Sequence, residues 1–72
     1  MDVAKLRRMA DQIAANFIAL GEEEAIASTA EHIAMFWDPR MKAAILADDL
    51  SALSPVALAA IERLKAGQAS AA

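Results

Sequence analysis

The sequence predicts an all-α fold: one small domain of about four helices, two longer antiparallel ones followed by two shorter ones. Three observations predict it. Apolar residues recur at steps of three and four along most of the chain. Good helix starts stand at Asp2, Asp38–Pro39 and Ser54–Pro55. Alanine, the strongest helix former, supplies 20 of the 72 residues. The same alanine limits the core. Only 22 of the 42 apolar residues are larger than alanine, and a methyl group buries little area. A domain this short gains a narrow margin from one core and often uses a staple. Without a cysteine, neither a disulfide nor a thiolate zinc site can be that staple. A second chain, either a partner or another copy, is the remaining candidate.

The first helix is expected from Val3 to about Leu20. Asp2 can accept from the free N–H groups of its first turn. Val3, Leu6, Ala10, Ile13, Phe17 and Leu20 fall on one face, and Lys5, Arg8, Gln12 and Asn16 fall elsewhere. Gly21 stands where a left-handed residue would end it. The second helix opens with Glu22, Glu23 and Glu24, which suit the positive end of a helix dipole. Ile26, Ala30, Ile33 and Trp37 form its stripe, widened by Met35 and Phe36. The pair Asp38–Pro39 closes it, since the residue before proline leaves the α region, and starts a third, shorter helix to about Asp49. That helix would bury Met41, Ile45 and Leu46, and it would meet the second at a sharp angle. The fourth begins at Pro55, with Leu53 and Leu58 placed as a hydrophobic staple, carries Leu58, Ile61 and Leu64, and ends at Gly67. One domain, 1–67, and a disordered tail, 68–72, complete the layout.

The chemistry on offer is sparse. His32 is the single histidine. Ser28 and Phe36, its neighbours four residues away on a helix, are not usual metal ligands, and Glu31 points about 100° away. The pair Asp48–Asp49 reads as a polar helix end. Two glycines cannot make a phosphate-binding loop. An acyl-carrier domain needs a serine in an Asp-Ser-Leu triplet, whereas Asp49-Leu50-Ser51 scrambles that order. A helix-turn-helix reader would present three glutamates to DNA phosphates, and a net charge of −3 opposes nucleic-acid binding in general. No stretch is long and apolar enough to span a membrane. Lys5, Arg7 and Arg8 are followed by Asp11 before any long apolar run, so no signal peptide is expected and the cytoplasm is the expected location.

The richest window is His32 to Met41. It gathers the only Trp and the only His, one of two Phe, two of four Met and an Arg. Trp and Arg are enriched at interface hot spots, and Met and aromatic residues at interfaces generally. The window therefore has two compatible readings. It holds the corner between the second and third helices together, or it presents Trp37 or Arg40 to a partner.

A family resemblance rests on these residues. The first helix reads Arg8-Met9-Ala10-Asp11-Gln12-Ile13-Ala14, with Phe17 one turn later. The corner reads His32-Ile33, then Phe36-Trp37-Asp38-Pro39-Arg40-Met41. The last helix is entered through Leu53-Ser54-Pro55. Over nearly the whole chain this resembles the delta subunit of the soluble NAD-dependent formate dehydrogenases. The joint from Asp48 to Ala52 departs from the glycines expected of relatives. The resemblance implies a non-catalytic accessory subunit, with no cofactor of its own, that supports assembly or stability of the complex. The larger subunits of such a complex carry a bis-pterin molybdenum or tungsten centre, iron–sulfur clusters and flavin. The alpha subunit is the first expected partner, and His32, Phe36, Trp37, Pro39, Arg40 and Met41 are the expected contact residues. The competing expectation is a free-standing helical homodimer that acts as an adaptor or regulator.

Overall fold

Two helix starts in this protein are placed by aspartate side chains that satisfy the first turn. A computed structural model describes residues 2–48 and 51–71, the last four as backbone only. Helix α1 (Val3–Phe17) is capped by Asp2, whose Oδ1 accepts from the Ala4 N–H at 3.0 Å. Helix α2 spans Glu22–Phe36, with its three glutamates in the first turn. Helix α3 (Pro39–Ala47) is capped by Asp38, whose Oδ1 accepts from the Met41 N–H at 2.9 Å, with Pro39 in the first turn. Helix α4 (Pro55–Ala71) completes a fold of four α-helices, with no strand among the described residues.

The ends differ from expectation in three places. The first helix stops at Phe17 and tightens into a 3₁₀ turn, Ile18–Leu20. With three residues per turn in place of 3.6, that turn takes Leu20 off the apolar stripe, and Leu20 is 55% exposed. Gly21 does have positive φ, but at φ 96° and ψ 155° it is extended and not left-handed helical. That region is essentially glycine's own. A Cβ there would meet nothing, so backbone torsion alone fixes the residue. Finally, α4 is the longest helix, at 17 residues, and passes Gly67. A glycine ends a helix by turning left-handed, and only Gly21 of the described glycines has positive φ. The alanine-rich Gln68–Ala71 backbone continues the helix instead. Helix α3 ends in extended Asp48. Asp49 and Leu50, where its expected end and the scrambled triplet fall, lie outside the described residues, as does Ala72 at the end of the expected tail.

The core is small and central. Its largest fully buried apolar side chains are Ile33, Ile45 and Ile61, one from each of α2, α3 and α4. Around them Ala10, Ala25, Ala57 and Ala60 are completely buried, and their methyl groups allow the backbones to approach closely. Helix α2 is the hub and packs most extensively on α4 and α1. Of the stripe expected on α1, Leu6 and Ala10 are buried, and Ile13 and Phe17 pack partly buried against the core. Leu53 is buried and Leu58 packs on the same cluster, as a staple requires. Thr29 is also fully buried, and its hydroxyl has no hydrogen-bond partner among the described residues. Such a group costs about 1–3 kcal/mol, which narrows the margin further. The Cα radius of gyration, 11.1 Å, is that of a compact chain of this length, about 11 Å.

Two polar ties span long sequence distances, and both start on α1. The Arg7 guanidinium grips the Asp48 carboxylate with two bonds, Nε to Oδ2 at 2.7 Å and Nη2 to Oδ1 at 2.5 Å. The Asp48 side chain is only 8% exposed and that of Arg7 28%. One turn along, Asp11 Oδ1 accepts from the Ser54 N–H at 2.9 Å. Because residues four apart share a helix face, Arg7 and Asp11 hold both ends of the α3–α4 connector.

Asp48→Ala should therefore destabilise the chain substantially. The loss should fall between the roughly 1 kcal/mol of an exposed ion pair and the roughly 3–5 kcal/mol of a buried one. Urea denaturation followed by circular dichroism checks this against exposed Glu62→Ala. An Asp48→Ala midpoint equal to that of the control would contradict the tie.

Candidate docking surface

The α2–α3 corner is made by two consecutive extended residues. Pro39 disfavours helical geometry at Asp38, which has φ −73° and ψ 166°. Trp37, at φ −83° and ψ 138°, leaves the helix one residue earlier, with its N–H still bonded to the Ile33 carbonyl at 3.1 Å. The indole enters the core and is 5% exposed. Phe36, the last helical residue, stays outside at 69% exposure, and Met35 beside it is 66% exposed. Both were expected to widen the buried stripe. The core at this end is closed by Trp37, which leaves them on the surface.

The six corner residues thus part company. Trp37 is buried, and Met41 packs partly buried against the core cluster. Pro39 and Arg40 are exposed at the start of α3. His32 lies between two rings, its centroid 6.4 Å from Phe17 in an edge-on arrangement and 4.8 Å from Phe36 in a tilted one. These three rings join the end of α1 to the end of α2. With Ser28, Glu31 and Met35 they line an open cleft of about 200 Å³. Sequence reasoning had placed Phe17 in the core stripe and omitted Met35 and Glu31 from the site. The available signal was the run Met35-Phe36-Trp37 before Asp38–Pro39: three large apolar residues at a forced helix end cannot all turn inward.

On the other side of the corner, the Lys42 ammonium donates to the Ala34 carbonyl at 3.1 Å and ties α3 back to α2. Ala34, Pro39, Lys42, Leu46 and Leu64 line a second groove there. Among the described residues, no group of three or more His, Asp or Glu side chains is placed to hold a metal ion. An imidazole packed between aromatic rings, with exposed apolar neighbours, is suited to contact another surface.

Burial gives Trp37 a structural job that Phe36 does not have. Trp37→Ala should cost about 3–5 kcal/mol, the range for a buried aromatic truncated in a core. Phe36→Ala, at an exposed position, should stay within about 0.5 kcal/mol. Thermal melts of the two variants, run side by side, check this; equal losses would contradict the division of the corner.

Comparison with known proteins agrees with the resemblance seen in the sequence. Residues 5–61 match the family model described as the NADH-dependent formate dehydrogenase delta subunit, FdsD. No curated protein and no solved structure matches significantly. The match takes in the capped start of α3, the whole corner and the cleft-lining residues, and it covers well over half of the chain: the chain belongs to the family of NADH-dependent formate dehydrogenase delta subunits.

Proposed function

We propose that this chain is a non-catalytic accessory subunit that docks on the larger subunits of an NADH-dependent formate dehydrogenase, the alpha subunit foremost, and supports assembly or stability of that complex. One observation carries the reading. A domain with a small, alanine-rich core leaves Phe36, Met35, Leu20 and Ile18 more than half exposed, although their burial would add to stability. Exposed apolar side chains mark an interaction site, and Met35 and Phe36 stand side by side at the end of α2; family membership supplies the partner. At the same corner, Arg40 is free to reach outward and can fork onto a carboxylate of that partner. The bis-pterin metal centre, iron–sulfur clusters and flavin of the complex belong in this reading to the larger subunits. A chain with no cysteine offers no thiolate to a cluster. No helix among the described residues is long and apolar enough to cross a membrane, in keeping with the cytoplasmic setting proposed for the complex.

Affinity purification of the tagged chain from cells that express all subunits tests the reading. The expected product is a large iron–sulfur flavoprotein. Removal of the chain should lower the yield of complex while turnover per assembled metal centre stays near wild type. Recovery of a pure homodimer would overturn the reading in favour of a free-standing adaptor. So would a hundredfold loss of turnover in complexes with full metal and cluster content, a loss on the scale of general acid–base catalysis.

A further inference from the structure

We infer that the cleft between Phe17, Met35 and Phe36 receives a single apolar anchor from a larger subunit, and that Glu31 at its edge pairs with a Lys or Arg flanking that anchor. The inference rests on the docking role proposed above and names the chemistry of the docked segment. Size is the first argument. At about 200 Å³, the cleft is smaller than the roughly 300–1,000 Å³ of small-molecule and cofactor sites. It matches one inserted side chain. Lining is the second. Phe17, His32, Met35 and Phe36 give apolar and aromatic walls, with Met35 flexible enough to mould to its occupant. Ser28 and Glu31 are the polar members, and neither Lys nor Arg lines the cleft.

Charge decides what accompanies the anchor. Glu24, Ser28, Glu31 and Met35 are spaced by four, three and four residues, so they share one stripe along α2. Glu24 and Glu31 are both exposed. A segment laid along this stripe therefore meets carboxylates beside its anchor point, and a basic flank is the complement. The same carboxylates argue against a second copy of this chain as the occupant. A two-fold dimer apposes a patch to itself, which would set the Glu24–Glu31 stripe against its own mate, and like charges so placed are repelled. The occupant with the fitting chemistry is a segment of a larger subunit that carries one large apolar residue next to Lys or Arg.

The test uses the complete complex, expressed with the tagged chain as wild type, Phe36→Ser, Met35→Ser, Glu31→Lys or Lys65→Ala. The quantity read is larger subunit retained per tagged chain, at low and high salt. Phe36→Ser should lower apparent affinity by about thirtyfold, the hot-spot scale. Glu31→Lys should weaken retention most at low salt, where charge repulsion is least screened. Lys65→Ala, on α4 and outside the cleft, should retain wild-type amounts. Melting of each isolated variant keeps folding separate from docking. Should Phe36→Ser melt early, Met35→Ser and Glu31→Lys decide the matter. Wild-type retention by all cleft variants, with wild-type chain retaining the larger subunits, would overturn the cleft assignment and leave the docking role standing. A loss at Phe36 and Met35 without any at Glu31 would overturn the basic flank. Failure of the wild-type chain to retain any larger subunit would overturn both readings together.

Discussion

Arg7 and Asp11 lie one turn apart on α1, and between them they hold both ends of the connector that joins α3 to α4. The rest of the arrangement depends on this clamp. Helix α3 has nine residues and a single fully buried large side chain, Ile45, so hydrophobic burial alone gives it a weak hold. The bidentate grip on Asp48 fixes its C-terminal end. The bond from Ser54 to Asp11 fixes where α4 begins, and with it the positions of Leu53, Val56 and Ala57 in the core. An ion pair this enclosed gains geometric definition from the two-pronged contact, and removal of either partner strands a charge in a poorly solvated place.

With α3 and α4 so placed, the core closes around three isoleucines, a tryptophan and a seam of alanines. Small side chains let the helices approach, but they leave few large apolar groups to bury. Geometry at the corner then decides which of those groups stay outside. Proline at position 39 favours extended backbone at Asp38, and Trp37, already extended, sends its indole inward. Phe36 and Met35 remain on the last turn of α2, more than half exposed among the described residues. Phe17 and His32 extend the same surface toward α1 through ring contacts. The apolar cleft is thus a consequence of how a small core is closed. A delta subunit that lives in a complex loses nothing by that arrangement once a partner covers the surface.

Local rules made most of the fold legible in the sequence. Asp2 and Asp38 cap as their types and positions suggest. Of the stripe Ile26, Ala30, Ile33 and Trp37, the last three are buried and Ile26 packs partly buried against the core, and Pro39 and Pro55 begin helices. What escaped were the non-local effects. No periodicity argument pairs Arg7 with Asp48 across 41 positions, since a charge on a helix face looks the same whether it meets water or a distant carboxylate. The 3₁₀ turn that exposes Leu20 and the passage of α4 through Gly67 reflect backbone choices that composition leaves open. At the candidate site, the window from His32 to Met41 was visible as unusual. Its division into an inward Trp37 and an outward Phe36 depends on a two-residue extended joint whose direction only the folded chain defines. Phe17 joined the site because the end of α1 lies beside His32 in space, fifteen positions away in the sequence.

The central claim is that the outward face at the end of α2 is covered by a larger subunit. The most direct measurement places a photoreactive phenylalanine analogue at position 36 of the tagged chain within the assembled complex, with the same group at position 65 on α4 as reference. Irradiation should join position 36 to a larger subunit in high yield, with the bridged peptide carrying a Lys or Arg beside an apolar residue, while position 65 gives little product. Cross-linking from position 65 but not from position 36, or products confined to this chain itself, would contradict the account.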